Sequence, residues 1–207
     1  MIKLIFSFSV CILFTQLGLA GEIGTAAIVR GEASLVHDKK SQIIKIGTVI
    51  SEGDEVITQE KSYVKIIMAD RNIVVVAEKS KLSINEYLTE KDKKNVQMTM
   101  AYGSARHVLA QKYTGKKEKY EVRTATTVAG VRGTDFLTIF NKDEESVICT
   151  LEGKVALGLL KDGKAGDTEV AVDAGHFVRV KKGDAQPQVV ETDKLWLEKA
   201  LKAHSLE

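Results

Sequence analysis

The carboxylates Asp54, Asp70 and Asp135 are the side chains of this sequence best suited to acid–base chemistry, because paired carboxyl groups can donate and accept a proton. Each of them lies at a turn or kink of the sequence, where such a group commonly hydrogen-bonds backbone N–H groups instead. The histidines His107 and His176 are single imidazoles in strand-like segments. We therefore expect structural roles for all five residues and no enzyme activity.

Motifs for metals, nucleotides and nucleophilic catalysis are missing from the sequence. It contains no His-x-His, His-Glu-x-x-His or Cys-x-x-Cys spacing, which argues against a zinc site. The segment 130–134, Gly-Val-Arg-Gly-Thr, lacks the Gly-Lys-Ser/Thr ending of a phosphate-binding loop. Cys149 lies in a mostly apolar run, which favours a buried structural thiol. We expect neither a metal nor a cofactor.

Arg132 is the residue with the most unusual setting, because Gly130 and Gly133 lie on either side of it. Glycine within a strand marks a bulge or a close approach of two backbones. A guanidinium held on such a kink can satisfy several carbonyl groups or bind an anion. We favour the structural role for Arg132 and keep ligand binding as the alternative.

Composition places the chain among folded globular proteins. It has 207 residues, of which 44% are hydrophobic and 28% charged, with a net charge of +2. The length suits one domain with an appendage, and the near-neutral charge argues against a nucleic-acid binder.

The first twenty residues predict a secretory signal peptide. Lys3 precedes an uncharged run over Leu4–Phe14, and the small residues Gly18 and Ala20 stand at the positions required for a cut after Ala20. Retention of this segment as a membrane anchor is the alternative. After cleavage we expect no membrane-spanning segment.

Short runs of alternating polar and apolar residues fill residues 21–185, the predicted β-domain. The alternating runs include Lys81–Asn85 and Tyr120–Arg123, and a further extended run covers Tyr63–Ala69. Turn sequences such as residues 161–163, Lys-Asp-Gly, separate the runs. The connections are too short for βαβ units, so neighbouring strands should be antiparallel or stacked as rungs. We predict an all-β fold, either an irregular β-roll or solenoid or a sandwich of short strands.

The tail, residues 186–207, predicts a short amphipathic α-helix. Thr192 or Asp193 can cap it, and an apolar stripe follows that comprises Trp196, Leu197, Ala200 and Leu201. We expect the helix to pack back on the β-domain, with docking to a partner as the alternative.

Two lysine-rich loops, residues 89–94 and 111–119, are predicted to be solvated hairpin ends. Contact with an anionic polymer is the alternative function for these loops. Exposed tyrosines among Tyr87, Tyr102 and Tyr113 would assist such binding.

Three patterns in order along the chain resemble the FecR domain, the periplasmic signalling domain of ferric-citrate-type regulators. The most specific is the run from Val128 to Phe136, which is similar to the family's V-R-G-T-x-F core; the other two begin at Gly53 and Glu152. The resemblance spans roughly residues 24–180. The motif residues that we expect to serve structure or interaction are Gly53, Asp54, Thr58, Gly130, Arg132, Gly133, Thr134, Phe136, Glu152 and Gly153.

The resemblance implies a periplasmic, non-enzymatic sensing or protein-interaction module, with another envelope protein as its partner. Only residues 1–3 precede the apolar run, so we expect no cytoplasmic sigma-factor-binding segment and a stand-alone secreted domain. Binding of peptidoglycan or another envelope polysaccharide is the alternative function. Self-association of an envelope component through an edge strand is a third hypothesis.

Overall fold

A computed structural model describes residues 21–90, 93–115, 118–161, 163–185 and 187–204, and the predicted signal peptide lies outside these ranges. The described residues form seventeen strands and one helix: β1 (Glu22–Arg30), β2 (Ala33–His37), β3 (Lys40–Ile43), β4 (Val49–Ser51), β5 (Glu55–Thr58), β6 (Tyr63–Met68), β7 (Ile73–Val76), β8 (Ser80–Glu90), β9 (Lys93–Val108), β10 (Lys119–Arg123), β11 (Thr127–Val131), β12 (Asp135–Phe140), β13 (Glu145–Glu152), β14 (Lys154–Lys161), β15 (Lys164–Asp173), β16 (His176–Lys181), β17 (Val189–Glu191) and α1 (Lys194–Ala203). The predicted all-β fold with a short C-terminal helix is confirmed.

The strands form two sheets that share β9. Sheet A has the order β4-β1-β6-β7-β9-β12-β13-β16-β17. Sheet B has the order β3-β2-β5-β8-β9-β10-β11-β14-β15. The first part of β9 belongs to sheet B and its last part to sheet A, and Gly103 lies where it changes sheets. From β10 onward, pairs of strands alternate between the sheets, which gives the fold its roll character.

Among the described strand pairs, β9 and β10 are parallel and the others antiparallel. The chain leaves β9 in sheet A and enters β10 in sheet B, so β10 runs parallel to the part of β9 that lies in sheet B. This corrects one sequence expectation. The described residues of the lysine-rich segment 111–119 follow β9 and lead into this parallel strand, and they include the buried Tyr113, so the segment is not a solvated hairpin end.

The core lies between the two sheets. In β6 every second residue is buried, so that Val64, Ile66 and Met68 point inward from sheet A. Leu82 and Ile84 of β8 point inward from sheet B and belong to the same apolar cluster. Full burial of such a side chain stabilises the fold by about 1.5–3 kcal/mol, so this alternation supplies the main driving force for the architecture.

A second, smaller apolar layer lies on the outer face of sheet A. Val75, Leu137 and Cys149 lie in one row across sheet A and are fully buried, although they face away from the main core. Arg106 of β9 stands in the same row, between Val75 and Leu137. The tail covers this face, since Trp196 stacks on Phe177 with ring centroids 5.8 Å apart. Its helix therefore packs back on the β-domain, as the apolar stripe predicted.

The two ends of α1 are fixed by specific polar contacts. Asp193 caps α1 by accepting a hydrogen bond from Trp196 N at 2.9 Å. Nε2 of the buried His204 lies 3.0 Å from Ser104 Oγ. Strand β17, which lies within the predicted tail, belongs to sheet A through its pairing with β16.

Candidate interaction surface

The three sequence motifs coincide with corners at which the chain passes from one sheet to the other. Gly53 lies between β4 of sheet A and β5 of sheet B, Gly133 between β11 of sheet B and β12 of sheet A, and Gly153 between β13 of sheet A and β14 of sheet B. A two-layer fold that changes layers this often needs tight turns. The first role of the three motifs is therefore structural, at these corners.

The first corner is held by a buried carboxylate and a buried hydroxyl. Asp54 is 2% exposed; its Oδ2 accepts a hydrogen bond from Ser51 N at 2.7 Å, and its Oδ1 lies 2.6 Å from His37 Nδ1. Thr58 Oγ1 accepts a hydrogen bond from Ser80 N at 3.1 Å and donates one to Ala77 O. Both side chains thus hydrogen-bond the backbone of a turn. Asp54 does so at the first corner, as predicted, and Thr58 does so at the turn between β7 and β8.

The second and third corners lie against each other. Gly133 has φ +112°, a conformation that residues with a Cβ rarely adopt. A Cβ on Gly153 would lie 2.9 Å from Gly133 O, so a larger residue would push the two corners apart. Thr134 Oγ1 fastens the same junction by donating to Lys154 O at 3.1 Å.

Gly130 does not break its strand, contrary to the sequence expectation. It pairs in regular register with Glu121 on β10 and Ala156 on β14, and its φ is not positive. The kink predicted around Arg132 therefore begins only after Val131. Because Gly130 has no side chain, it instead leaves a shallow depression on the outer face of sheet B.

Arg132 does not receive the carbonyl partners that we expected. Its side chain is exposed and makes no hydrogen bond or ion pair with the described residues. At the same corner, Thr134 Oγ1 is the group that hydrogen-bonds the Lys154 carbonyl. Arg132 instead lines a groove of about 720 Å³ over the small residues Gly130 and Ala156.

The groove carries both signs of charge at its rim. Lys119 and Lys154 add positive charge beside Arg132, and the carboxylates of Glu118, Glu121 and Glu169 add negative charge. Lys154 is engaged with Asp173 at 2.9 Å and Lys119 approaches Glu121 at 3.8 Å. Among the described residues that line this groove, Arg132 therefore offers a guanidinium that is available to bind an incoming group.

The structural arginine of the motif region is Arg106, which sequence reasoning missed. Its Nε and Nη2 donate to the two carboxylate oxygens of Asp135 at 2.9 and 2.6 Å, and both side chains are largely buried. Both carboxylate oxygens of Asp135 are therefore occupied. No spacing could have predicted the pair, because 29 residues separate its members and only the pairing of β9 with β12 brings them together.

Asp70 is the centre of a buried polar cluster that sequence reasoning also missed. Tyr87 OH donates to Asp70 Oδ1 at 2.8 Å, and Asn72 Nδ2 and Tyr113 OH donate to Oδ2 at 2.8 and 3.2 Å. Burial is the main cause that raises the pKa of Tyr87 and of Tyr113, and the negative charge of Asp70 contributes to both. The cluster keeps both phenols protonated and ties the β6–β7 turn to the segment after β9.

The candidates for acid–base chemistry thus lie in three separate places, each with structural partners. His107 is fully buried and stacks on Phe136 with ring centroids 4.9 Å apart. Burial, and to a smaller extent the charge of His204, lower the pKa of His107 to about 3. Burial raises the pKa of the Cys149 thiol, so this cysteine stays protonated and unreactive.

The three corners lie within a region that is similar to a known protein family. The family model described as FecR protein matches residues 54–156, from Asp54 of the first motif to just beyond the third. This chain contains a FecR domain. No curated protein matches the sequence significantly.

Two solved structures share the fold of this FecR domain. Both show a candidate anti-sigma factor from Parabacteroides distasonis ATCC 8503. One has a TM-score of 0.54 and 17% identity, with 71% of this chain and 64% of the other covered. The second has a TM-score of 0.54 and 16% identity, with 71% and 63% covered. The chain thus spans less than two thirds of either structure, and at these identities the likeness concerns the fold.

Two further features of the FecR domain bear on ligands and membranes. Within the part of the chain that the structure describes, no three metal-ligating side chains converge. The same residues contain no helix long and apolar enough to cross a membrane.

Proposed function

We propose that this chain is a non-enzymatic sensing and protein-interaction module of the bacterial envelope, whose protein partner binds the surface around Arg132. The FecR domain supports a regulatory role. The observation that carries the choice of surface is a contrast within the motifs. Asp54, Thr58, Thr134 and Phe136 are buried, whereas Arg132 in the most specific motif is exposed and without a partner among the described residues. A motif residue that does nothing for the fold is a candidate for function.

The chemistry of the groove favours a partner that offers a carboxylate. A guanidinium binds a carboxylate through two parallel hydrogen bonds, which gives both direction and strength. The acidic residues Glu121 and Glu169 at the rim repel partners that carry a uniformly negative surface. We therefore propose a protein that presents one or a few acidic side chains, flanked by polar or basic ones.

A periplasmic location is part of this proposal and rests on the sequence of residues 1–20. Cell fractionation should recover the protein with the periplasmic fraction, and N-terminal sequencing should begin at Gly21. A protein that keeps residues 1–20 and sediments with membranes would support the anchor alternative instead.

The interaction is tested by crosslinking in intact cells followed by affinity purification. We expect a defined protein partner with the native chain and at least a tenfold loss with Arg132→Ala, since a charge-assisted bidentate pair contributes about 1.5–3 kcal/mol. The matched control is Arg71→Asn, which removes an exposed arginine from the β6–β7 turn and suits its φ of +70°. Recovery of cell-wall fragments alone, or equal loss with both variants, would contradict the proposal.

A polysaccharide-binding function is the second candidate, and one observation supports it. Of the three tyrosines considered from the sequence, Tyr87 and Tyr113 are buried, and Tyr102 is 43% exposed. Tyr102 lines a groove of about 680 Å³ together with Ile139 and Phe140. Co-sedimentation with purified cell walls at low salt, abolished by Tyr102→Ala, is the expected result for this function.

A further inference from the structure

Most of the apolar side chains that this domain leaves exposed gather at its two ends. Eight large hydrophobic residues are exposed among those that the structure describes. Ile43, Ile46 and Val49 lie on or between β3 and β4, and Val189, Val190 and Leu195 lie on or beside β17. Ile67 lies on β6, with β1 between it and the edge strand β4. Tyr102, on β9, lies away from both ends. Apolar groups concentrated in this way mark interaction surfaces rather than ordinary exposure.

Each end also presents one open edge of each sheet. Strands β4 and β3 are the outermost strands of sheets A and B at one end, and β17 and β15 are outermost at the other. All four residues of β3 and all three of β17 are exposed. Open edges offer unpaired backbone N–H and C=O groups to another strand.

The charges at the two ends have opposite sign. Exposed Lys39, Lys40 and Lys45 surround the first end, where Asp38 is the opposing acid, and none of the three lysines has an ion pair with the described residues. We call this the basic end, comprising residues 38–49. The acidic end comprises β15 and β17, with exposed Glu169, Asp173 and Glu191. Lys164 is the opposing exposed lysine on β15, and Asp173 is paired with Lys154 of β14 at 2.9 Å.

We propose that copies of this chain associate head to tail, with the basic end of one against the acidic end of the next. In this arrangement the second copy is displaced in the direction in which the strands lie side by side. Sheet A of one copy then meets sheet A of the next, and sheet B meets sheet B. The alternation of strand directions then makes β15 antiparallel to β3 of the next copy, which is the more stable pairing. In sheet A the same displacement makes β17 parallel to β4. Apolar residues at both ends meet across the same junction.

Charge also decides against association of two basic ends. Lysines at an edge strand repel a second copy of the same edge, which is how many proteins guard such strands. They attract an edge that carries carboxylates. The contact is therefore heterologous, and it leaves one basic and one acidic end free for further growth.

Sedimentation velocity of the purified full chain over a wide concentration range tests the proposal. We expect the mean mass to rise above that of a dimer as concentration increases and to fall with added salt. Ile46→Asp at the basic end and Val190→Lys at the acidic end should each give monomers. An equal mixture of the two variants should associate again, because one supplies a native acidic end and the other a native basic end.

Two control variants lie away from both ends. Tyr102→Asp changes an exposed hydrophobic residue and should leave the mass distribution unchanged, as should Arg132→Ala, so failure of the proposed association leaves the proposed function untouched. Unchanged circular dichroism and melting would show that the end variants are folded. A native chain that stays monomeric at the highest concentration overturns the proposal. So does a dimer that Ile46→Asp abolishes and Val190→Lys preserves, since it would join two basic ends.

Discussion

Two arginines near the second corner have opposite surroundings. Arg106 is largely buried on β9 and shares two hydrogen bonds with Asp135, whereas Arg132 is exposed after β11 and has no partner among the described residues. The sequence prediction assigned the structural role to Arg132, because two glycines lie beside it. The contrast teaches that an arginine in a family motif need not be the one that stabilises the motif's fold.

The largest effect is expected from breaking the Arg106–Asp135 pair. Asp135→Ala leaves the Arg106 guanidinium largely buried without its counter-charge, which should cost about 3–5 kcal/mol. Chemical denaturation should show this loss for Asp135→Ala. The double variant Arg106→Leu/Asp135→Leu, which removes both charges, should recover part of it. If Asp135→Ala unfolds at the native denaturant concentration, the pair is not the structural one.

The free energy of unfolding should also fall in acid, because two buried histidines lie close to Arg106. Burial lowers the pKa of His107 to about 3 and, with a smaller contribution from the Arg106 charge, lowers the pKa of His204. Below the ordinary imidazole pKa of about 6.5, the unfolded chain binds protons that the folded chain excludes. Stability is therefore complete above that pH and falls as the pH drops toward 3.

The acid effect can be assigned to His107 by comparing slopes. That residue alone accounts for up to about 1.4 kcal/mol per pH unit between the two pKa values. His107→Phe should flatten the curve of unfolding free energy against pH by that amount while keeping the stack on Phe136. Parallel curves for the native chain and the variant would contradict the assignment.

A smaller loss of stability is expected from a substitution at the corner beside Arg132. Gly133→Val forces a β-branched residue into a φ of +112°, which should cost at least about 1–2 kcal/mol. Gly47→Val is the matched control for backbone conformation, because Gly47 has φ +86° but lies at an exposed turn with open space around it. We expect a lower melting temperature for both and a loss of partner binding for Gly133→Val alone.

How far the sequence predicts this molecule depends on how local the signal is. The alternation in β6, the Asp193 cap and the positive φ of Gly133 all follow from residues within one turn or strand, and they were predictable. The Arg106–Asp135 pair and the Asp70 cluster depend on strand register across 29 and 43 residues, which no local pattern encodes. The bond from Thr134 to the Lys154 carbonyl has the same origin, because it forms only where the second and third corners meet.

The smallest effect on stability and the sharpest test of the comparison come from Arg132 itself. An exposed side chain without partners contributes within about 0.5 kcal/mol to folding, so Arg132→Ala should unfold at the native denaturant concentration yet lose the partner. Arg132→Lys should keep the charge but not the two-pronged geometry, and should restore binding only in part. If Arg132→Ala instead lowers stability by about 1 kcal/mol or more with binding unchanged, the two arginines share one structural role, and the partner surface must be sought elsewhere on the domain.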